Sequence, residues 1–324
     1  MTQSIERSAC GKVILCGEHA VVYGRPAIAL PLPHMRAWAR IVPSDDSFKI
    51  VAPDIGQVVE TRHSPSGDVP GASLREQGHN PLALISHLTL QHTQQESPRA
   101  TLTITSDIPV GTNLGSGAAV SVAIARAIAA WFDVALPPEE ASALAFEVEK
   151  LHHGTPSGID NTVIAYEQAV LYAKGTTPAM ITPHPTLSPE GRGLLLIADT
   201  GHSTPTRIPV GDVRAAWEKD TGRYEAIFDD IAAVVQRARA ALLMGDWSAL
   251  GAAMNDNHAL LQQLTVSSQQ LDHLCQAARA AGALGAKMSG GGRGGNMIAL
   301  ARDAEHVTLL KDALLRAGAK RIIA

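Results

Sequence analysis

Pro109-Val110-Gly111-Thr112-Asn113-Leu114-Gly115-Ser116-Gly117-Ala118-Ala119 is the stretch whose reading decides the fold. It follows the alternating run Ala100 to Thr105, which predicts a strand, and opens onto the apolar segment Ala118 to Ala130, which predicts a helix. A loop of small residues feeding a helix start leaves backbone N–H groups unpaired at the positive end of the helix dipole. Such a loop suits phosphate. An ordinary strand-to-helix turn has the same composition, so the loop alone leaves both readings open. Neither glycine-rich loop of the chain has the lysine that a Gly-x-x-x-x-Gly-Lys-Ser/Thr loop carries after its last glycine. Neutralising charge for a phosphate has to come from elsewhere.

Three further segments are candidates to complete a phosphate site. Lys12 begins an apolar strand within Ser8 to Gly24 and is flanked by Gly11, which suggests emergence at a sheet edge or cleft; a snorkelling surface lysine is the plainer alternative. Glu18 and His19 follow Gly17 at the far end of that strand. In Glu149 to Asn161, Glu149 sits near the C-terminus of an expected helix, where the dipole disfavours a carboxylate. Asp160 follows a Pro-Ser-Gly turn and is expected in a loop. Two such carboxylates could divide the work of holding a divalent metal and orienting an attacking hydroxyl, or could be a solvated helix end and a turn aspartate. Gly285 to Asn296 is dense in glycine, which permits close backbone approach to a ligand at an entropic cost, or forms a flexible hairpin loop.

Composition narrows the classes. With 324 residues, 45% hydrophobic, the chain can bury a substantial core, and its length favours two domains. A net charge of −4 and 4% aromatic residues point to neither a nucleic-acid nor a membrane partner. Cys10, Cys16 and Cys275 lack metal-ligand spacing and are expected as reduced thiols. The polar stretch Met1 to Ala9 has no hydrophobic signal core, and Ala118 to Ala130 is too short to span a bilayer, so a cytoplasmic protein is expected.

Along the chain, strands are expected at Lys12–Cys16, Ala27–Leu30, Ala37–Val42 and Phe48–Val51, then an irregular excursion from Gln57 to Gly78 and a helix over Pro81–Gln91. Pro137-Pro138-Glu139-Glu140 predicts a helix running to about His152 and ended by Gly154-Thr155-Pro156. Tyr166–Ala173 reads as a strand, and the proline-rich Gly175–Gly193 as a connector holding the domain boundary. Beyond it come a strand over Leu194–Ala198 and helices near Asp212–Met244, Trp247–Leu264 and Ser267–Ala281. The end reads strand, helix, strand over Met297–Ala301, Ala304–Ala317 and Lys320–Ile323. Strands and helices without regular alternation give an α+β class.

In order along the chain, these segments resemble the mevalonate kinase family within the GHMP small-molecule kinases, the superfamily that includes galactokinase, homoserine kinase and phosphomevalonate kinase. The resemblance rests on Ala9 to Gly24 with its Gly-Glu-His-Ala-Val-Val-Tyr-Gly run, Pro109 to Ala119, Glu149 to Asn161, Ala198-Asp199-Thr200-Gly201 with Ser203, Thr204 and Thr206, and Lys287 to Asn296. It implies a two-domain α+β GHMP kinase fold, residues 1–190 and 191–324, the second domain ferredoxin-like and the active site between them. It implies transfer of the γ-phosphoryl of ATP to the primary hydroxyl of mevalonate, with Mg2+, as a step of isoprenoid biosynthesis, and leaves a homodimer open. Residue by residue, the resemblance makes Asp160 the catalytic base, Lys12 its partner and phosphate contact, and Glu149 the magnesium ligand. It places Pro109, Gly111, Thr112, Asn113, Leu114, Gly115, Ser116, Gly117 and Ala118 on ATP. By the same resemblance, Glu18, His19, Thr206 and Gly291, with Lys12 and Asp160, are expected to line the substrate pocket.

Three residues depart from the family pattern. Asn113 stands for a glycine, Gly117 for a serine that assists the metal, and Arg293 interrupts the last glycine loop. Ser116 or water would take over at the metal, and Arg293 would add charge beside the phosphates or the substrate carboxylate. Alternatives are a phosphomevalonate kinase, a kinase for the tertiary hydroxyl of mevalonate, a related decarboxylase, or a non-catalytic ligand sensor on the same scaffold.

Overall fold

The structure is a computed structural model and describes residues 4–60, 80–153, 156–181 and 195–323. Most of the expected excursion after Gln57, the helix stop at Gly154-Thr155, and the part of the connector that holds the 190/191 boundary lie outside the described residues. The chain forms two compact units. One comprises Met1–Lys12, Pro31–Val110 and Gly115–Glu167; the other comprises Val13–Leu30, Gly111–Leu114 and Gln168–Ala324.

Strand β1 (Ile5–Cys16) and strand β2 (Ala27–Pro43) each run through both units. The two strands expected at 27–30 and 37–42 are one. Pro31 and Pro33 lie outside the stretches 27–29 and 37–43 that form ladders with other strands, so their missing N–H groups break neither of those ladders.

In the first unit the sheet order is β4 (Gln57–Glu60), β3 (Lys49–Ala52), β5 (Ala100–Ser106) and β2. Residues 57–60 pair with β3 and so form a strand where an irregular segment was expected; Val59 is buried there while its neighbours face out. Helix α1 (Pro81–His92) begins where its sequence directs. The Asn80 side chain accepts hydrogen bonds from the N–H groups of Leu82 and Ala83, and Pro81 occupies the first turn. Helices α2 (Ser116–Trp131), α3 (Pro138–His153) and α4 (Ile159–Tyr166) pack on one another.

Helix α4 corrects the expectation of a loop at Asp160 and a strand from Tyr166. Gly158, at φ 91°, turns the chain into a helix whose residues are nearly all buried, and Asp160 lies in its first turn. A short helix buried on most sides lacks the one-sided apolar pattern that marks a helix in sequence. The strand that follows, β6 (Ala169–Tyr172), is correspondingly shorter.

In the second unit the first residues of β2 pair with β6, which pairs with β7 (Ala179–Ile181) inside the expected connector. A separate four-stranded antiparallel sheet has the order β11 (Arg321–Ile323), β8 (Leu195–Asp199), β10 (Asn296–Leu300) and β9 (Gly285–Ser289). Helices α7 (Trp247–Gln263), α8 (Gln269–Ala280) and α9 (Ala304–Arg316) pack against it. The single helix expected at 212–244 is two, α5 (Arg207–Lys219) and α6 (Thr221–Met244). Asp220 leaves helical geometry between them, and its side chain accepts from the Arg223 N–H to cap α6. The glycine-rich segment from Gly285 is a hairpin whose loop is confined to residues 290–295. The observed class is α+β, as expected.

Candidate active site

Residues of the two units form two constellations. In the first unit, Lys12 on β1 is buried, and its Nζ lies 2.9 Å from Oδ2 of the half-buried Asp160 at the start of α4. Gly115, with φ 79°, stands at the N-cap of α2. A Cβ added there would lie 2.7 Å from Ile164 Cδ1 and 2.9 Å from Lys12 Cγ, so the loop backbone rests directly on the lysine stem and on α4. No side chain caps the start of α2, unlike α1, α6, α7, α8 and α9, so its first amides have no side-chain acceptor of this kind.

Glu149 on α3 joins this group. It is 6% exposed, and its carboxyl is pushed up to about 7, first by burial and then by the charge of Asp160, with Lys12 opposing. Its Oε1 lies 3.4 Å from where a Cβ on Gly117 would stand, an ordinary contact distance, so position 117 accommodates a serine. Among the described residues, no group of three or more His, Cys, Asp and Glu could hold a metal by itself. Mg2+ does not need such a cage, because it takes one or two carboxylates and completes its octahedron with phosphate oxygens and water. A buried glutamate whose charge is opposed by a neighbouring carboxylate gains from a divalent cation, so Glu149 and its surroundings fit the ion.

In the second unit, Glu18 is buried and ion-paired with Lys287 on β9, while Asn257 on α7 donates to Glu18 Oε2 at 3.2 Å and accepts from the Gly17 N–H at 3.1 Å. His19 follows at φ 62°. Burial, aided by the charges of Arg293 and Lys287, brings its imidazole down to about 4 against a hydrogen bond to Gly291, so the ring is neutral at pH 7. Its Nε2 lies 3.1 Å from the Gly291 carbonyl, which can only accept; Nε2 therefore carries the proton and Nδ1 is left as an acceptor. Gly291 admits no side chain, since a Cβ would meet Thr206 Cγ2 at 2.9 Å. Thr206 donates to Asn113 Oδ1 at 2.9 Å, and Asn296 donates to the Thr112 carbonyl. Asn113 has φ 58°, a conformation natural to glycine that asparagine tolerates better than most residues. Arg293 is ion-paired with Asp212 on α5, which gives its charge a partner within the protein.

Lys287, Asn257, Arg126 and Glu167 carry no motif that gives them a role from sequence alone. A lysine inside an apolar strand pattern was the one local signal among them. The others depend on neighbours remote in sequence.

The description "GHMP kinases N terminal domain" matches residues 83–168, and "GHMP kinases C terminal" matches residues 238–320. The chain belongs to the GHMP kinases, and its two-domain α+β fold is theirs. Within that family it is similar to the mevalonate kinase of Thermococcus sibiricus, 35% identical over 94% of this chain and 92% of the relative. The mevalonate kinase of Pyrococcus furiosus is 34% identical over 91% of this chain and 88% of the relative. A crystal structure of L. major mevalonate kinase in complex with R-mevalonate superposes with a TM-score of 0.81 at 29% identity, covering 99% of this chain and 95% of that one.

Proposed function

We propose that the chain is a mevalonate kinase, transferring the γ-phosphoryl of ATP to the primary hydroxyl of mevalonate in isoprenoid biosynthesis. The observation that carries this reading is the Lys12–Asp160 pair, held against the Gly115 backbone at the open end of α2 with Glu149 alongside. Relatives named mevalonate kinase over nearly the full chain support the substrate.

In the transfer, the hydroxyl oxygen of mevalonate forms a bond to Pγ as the bond from Pγ to the β,γ-bridging oxygen breaks, and ADP leaves. A carboxylate is too weak a base to remove an alcohol proton in the ground state. In a loose transition state little bond has formed to the attacking oxygen, so Asp160 orients the hydroxyl and takes its proton late. Lys12 holds Asp160 in place and offers its ammonium to the transferring oxygens, while the amides of Gly115 to Ala118 receive phosphate oxygens. Pro109, Gly111, Thr112, Asn113 and Leu114 shape the approach to those amides. Glu149, with Ser116, would hold Mg2+, which supplies charge neutralisation at the phosphate oxygens when bound. His19 offers Nδ1 as an acceptor for a substrate hydroxyl; Glu18, Thr206 and Gly291 shape its surroundings.

A domain division at 190/191 is part of this reading and is supported by matched family segments lying on either side. So are a cytoplasmic location, where ATP is supplied, and a homodimer, which sedimentation equilibrium tests. No helix among the described residues is long and apolar enough to cross a membrane. Phosphorus NMR of the product from ATP and mevalonate reads both turnover and the hydroxyl attacked; the expected signal is a primary phosphate monoester. Binding without ADP release would indicate a sensor, and turnover only with phosphomevalonate would move the chain to another branch.

A further inference from the structure

One hydrogen-bonded cluster in the first unit lies away from the reacting groups yet ties together the elements that carry them. Arg126 on α2 donates from Nη1 to the Ser8 carbonyl at 2.8 Å and to Glu167 Oε1 at 2.7 Å, and from Nη2 to the Ala165 carbonyl at 2.7 Å. Arg36 on β2 donates from Nη2 to both Glu167 oxygens, at 2.8 and 3.0 Å, and from Nε to Ser8 Oγ at 2.9 Å. One guanidinium thus joins α2, which opens at the phosphate loop, to the end of α4, which begins at Asp160, and to β1, which carries Lys12 four residues on. The separations are about 15 Å along α2 and about 10 Å along α4.

Glu167 is costly where it stands. It has φ 50°, a left-handed conformation that glycine adopts freely and glutamate seldom does. It also places a carboxylate at a helix C-terminus, against the dipole. Burial pushes its carboxyl up, yet the hydrogen bonds and charges of Arg36 and Arg126 outweigh this and hold it below the usual range. The cluster borders a cavity of about 680 Å³ and its side chains are 23–29% exposed, so it is a partly solvated network and not a core ion pair. Helix termination alone would be served better by glycine.

We infer that Arg126 and Glu167, with Arg36, are positioning residues: a brace that sets Asp160 and Lys12 in register with the phosphate loop at the head of α2. The inference rests on the kinase reading above and adds to it a control on geometry from outside the reacting groups. A small misplacement of reacting atoms can cost up to about 100-fold in rate.

Glu167→Gly is the decisive variant, because glycine takes φ 50° without strain while the carboxylate is removed. Glu167→Gln, Arg126→Met and the Arg126→Met/Glu167→Gly double variant complete the cycle. Expected are a fall in kcat of about tenfold or more in the Glu167 variants, KM for ATP and mevalonate within about twofold of wild type, and a double variant no worse than the poorer single one. Amide hydrogen exchange is expected to quicken over residues 159–166. If Arg126→Met does not fold, the two Glu167 variants and their exchange decide. Wild-type kcat and exchange in Glu167→Gly would overturn the brace, as would a loss expressed only in KM. Should the wild-type chain not turn over mevalonate, the kinase reading fails by itself, and the exchange measurement still decides whether the cluster holds α4.

Discussion

Lys12 and Asp160 come from a strand and a helix far apart in the chain, and their 2.9 Å contact leaves the lysine buried under the loop backbone at Gly115. The proposed mechanism gives each a distinct task, so Asp160→Ala and Lys12→Met are both expected to abolish turnover while ATP still binds, read by ADP release beside nucleotide titration; near-normal turnover in either would remove its role. Gly115→Ala adds a Cβ against Ile164 and forces alanine to φ 79°, a strain of about 1–3 kcal/mol. Its melting temperature and kcat should both fall, and wild-type values would show that the loop sits elsewhere. Gly117→Ser meets no obstruction and brings a hydroxyl beside Glu149. That enzyme should stay active and need less magnesium, measured as the Mg2+ concentration at half-maximal rate; an unchanged value would argue that 117 does not face the ion.

At the scale of elements, the turn after β1 is held by a buried charge pair. Glu18 and Lys287 are both removed from water, and Asn257 satisfies the second glutamate oxygen. Breaking such a pair from one side strands a charge, so Lys287→Met should lose about 3–5 kcal/mol in urea unfolding, whereas Glu18→Gln/Lys287→Met should recover much of that. A single variant as stable as wild type would mean that the pair is solvated. The same pair leaves the Glu18 carboxylate engaged within the protein, next to the turn that carries His19. Helix α4 shows the matching limit of local reading, since Ile159, Val163 and Ile164 look as much like a strand as a helix until the buried side is known.

Across the molecule, two buried histidines make stability depend on pH. Burial is the main cause that brings both His19 and His258 down to about 4; for His258 the charges of Lys287 and Arg279 act with it, and Asp272 opposes. In the unfolded chain each binds a proton below about 6.5, in the folded chain only near 4. The stability each contributes is therefore complete above 6.5 and lost as pH falls toward 4, of order 3 kcal/mol per ring. Glu149, whose carboxyl is raised to about 7, acts in the opposite sense over the same range, so the two histidines together outweigh it. Urea midpoints should drop across that window, and His19→Gln should flatten part of the drop; an equally steep curve in the variant would show that His19 is not held neutral. Residues in sequence were enough to reveal the strand, loop and helix around Pro109 to Ala119, the helices that begin at Pro81 and Ala304, the α+β class and the ordered segments of a GHMP kinase, because each depends on neighbours within a turn or two of chain. Only the tertiary structure decided that Asp160 begins a helix, that Glu18 is spent on Lys287, that Thr206 bonds Asn113, and that Arg126 gathers Ser8, Ala165 and Glu167. Those are contacts between side chains remote in sequence, and a partner met only after folding leaves no periodicity or spacing to read beforehand.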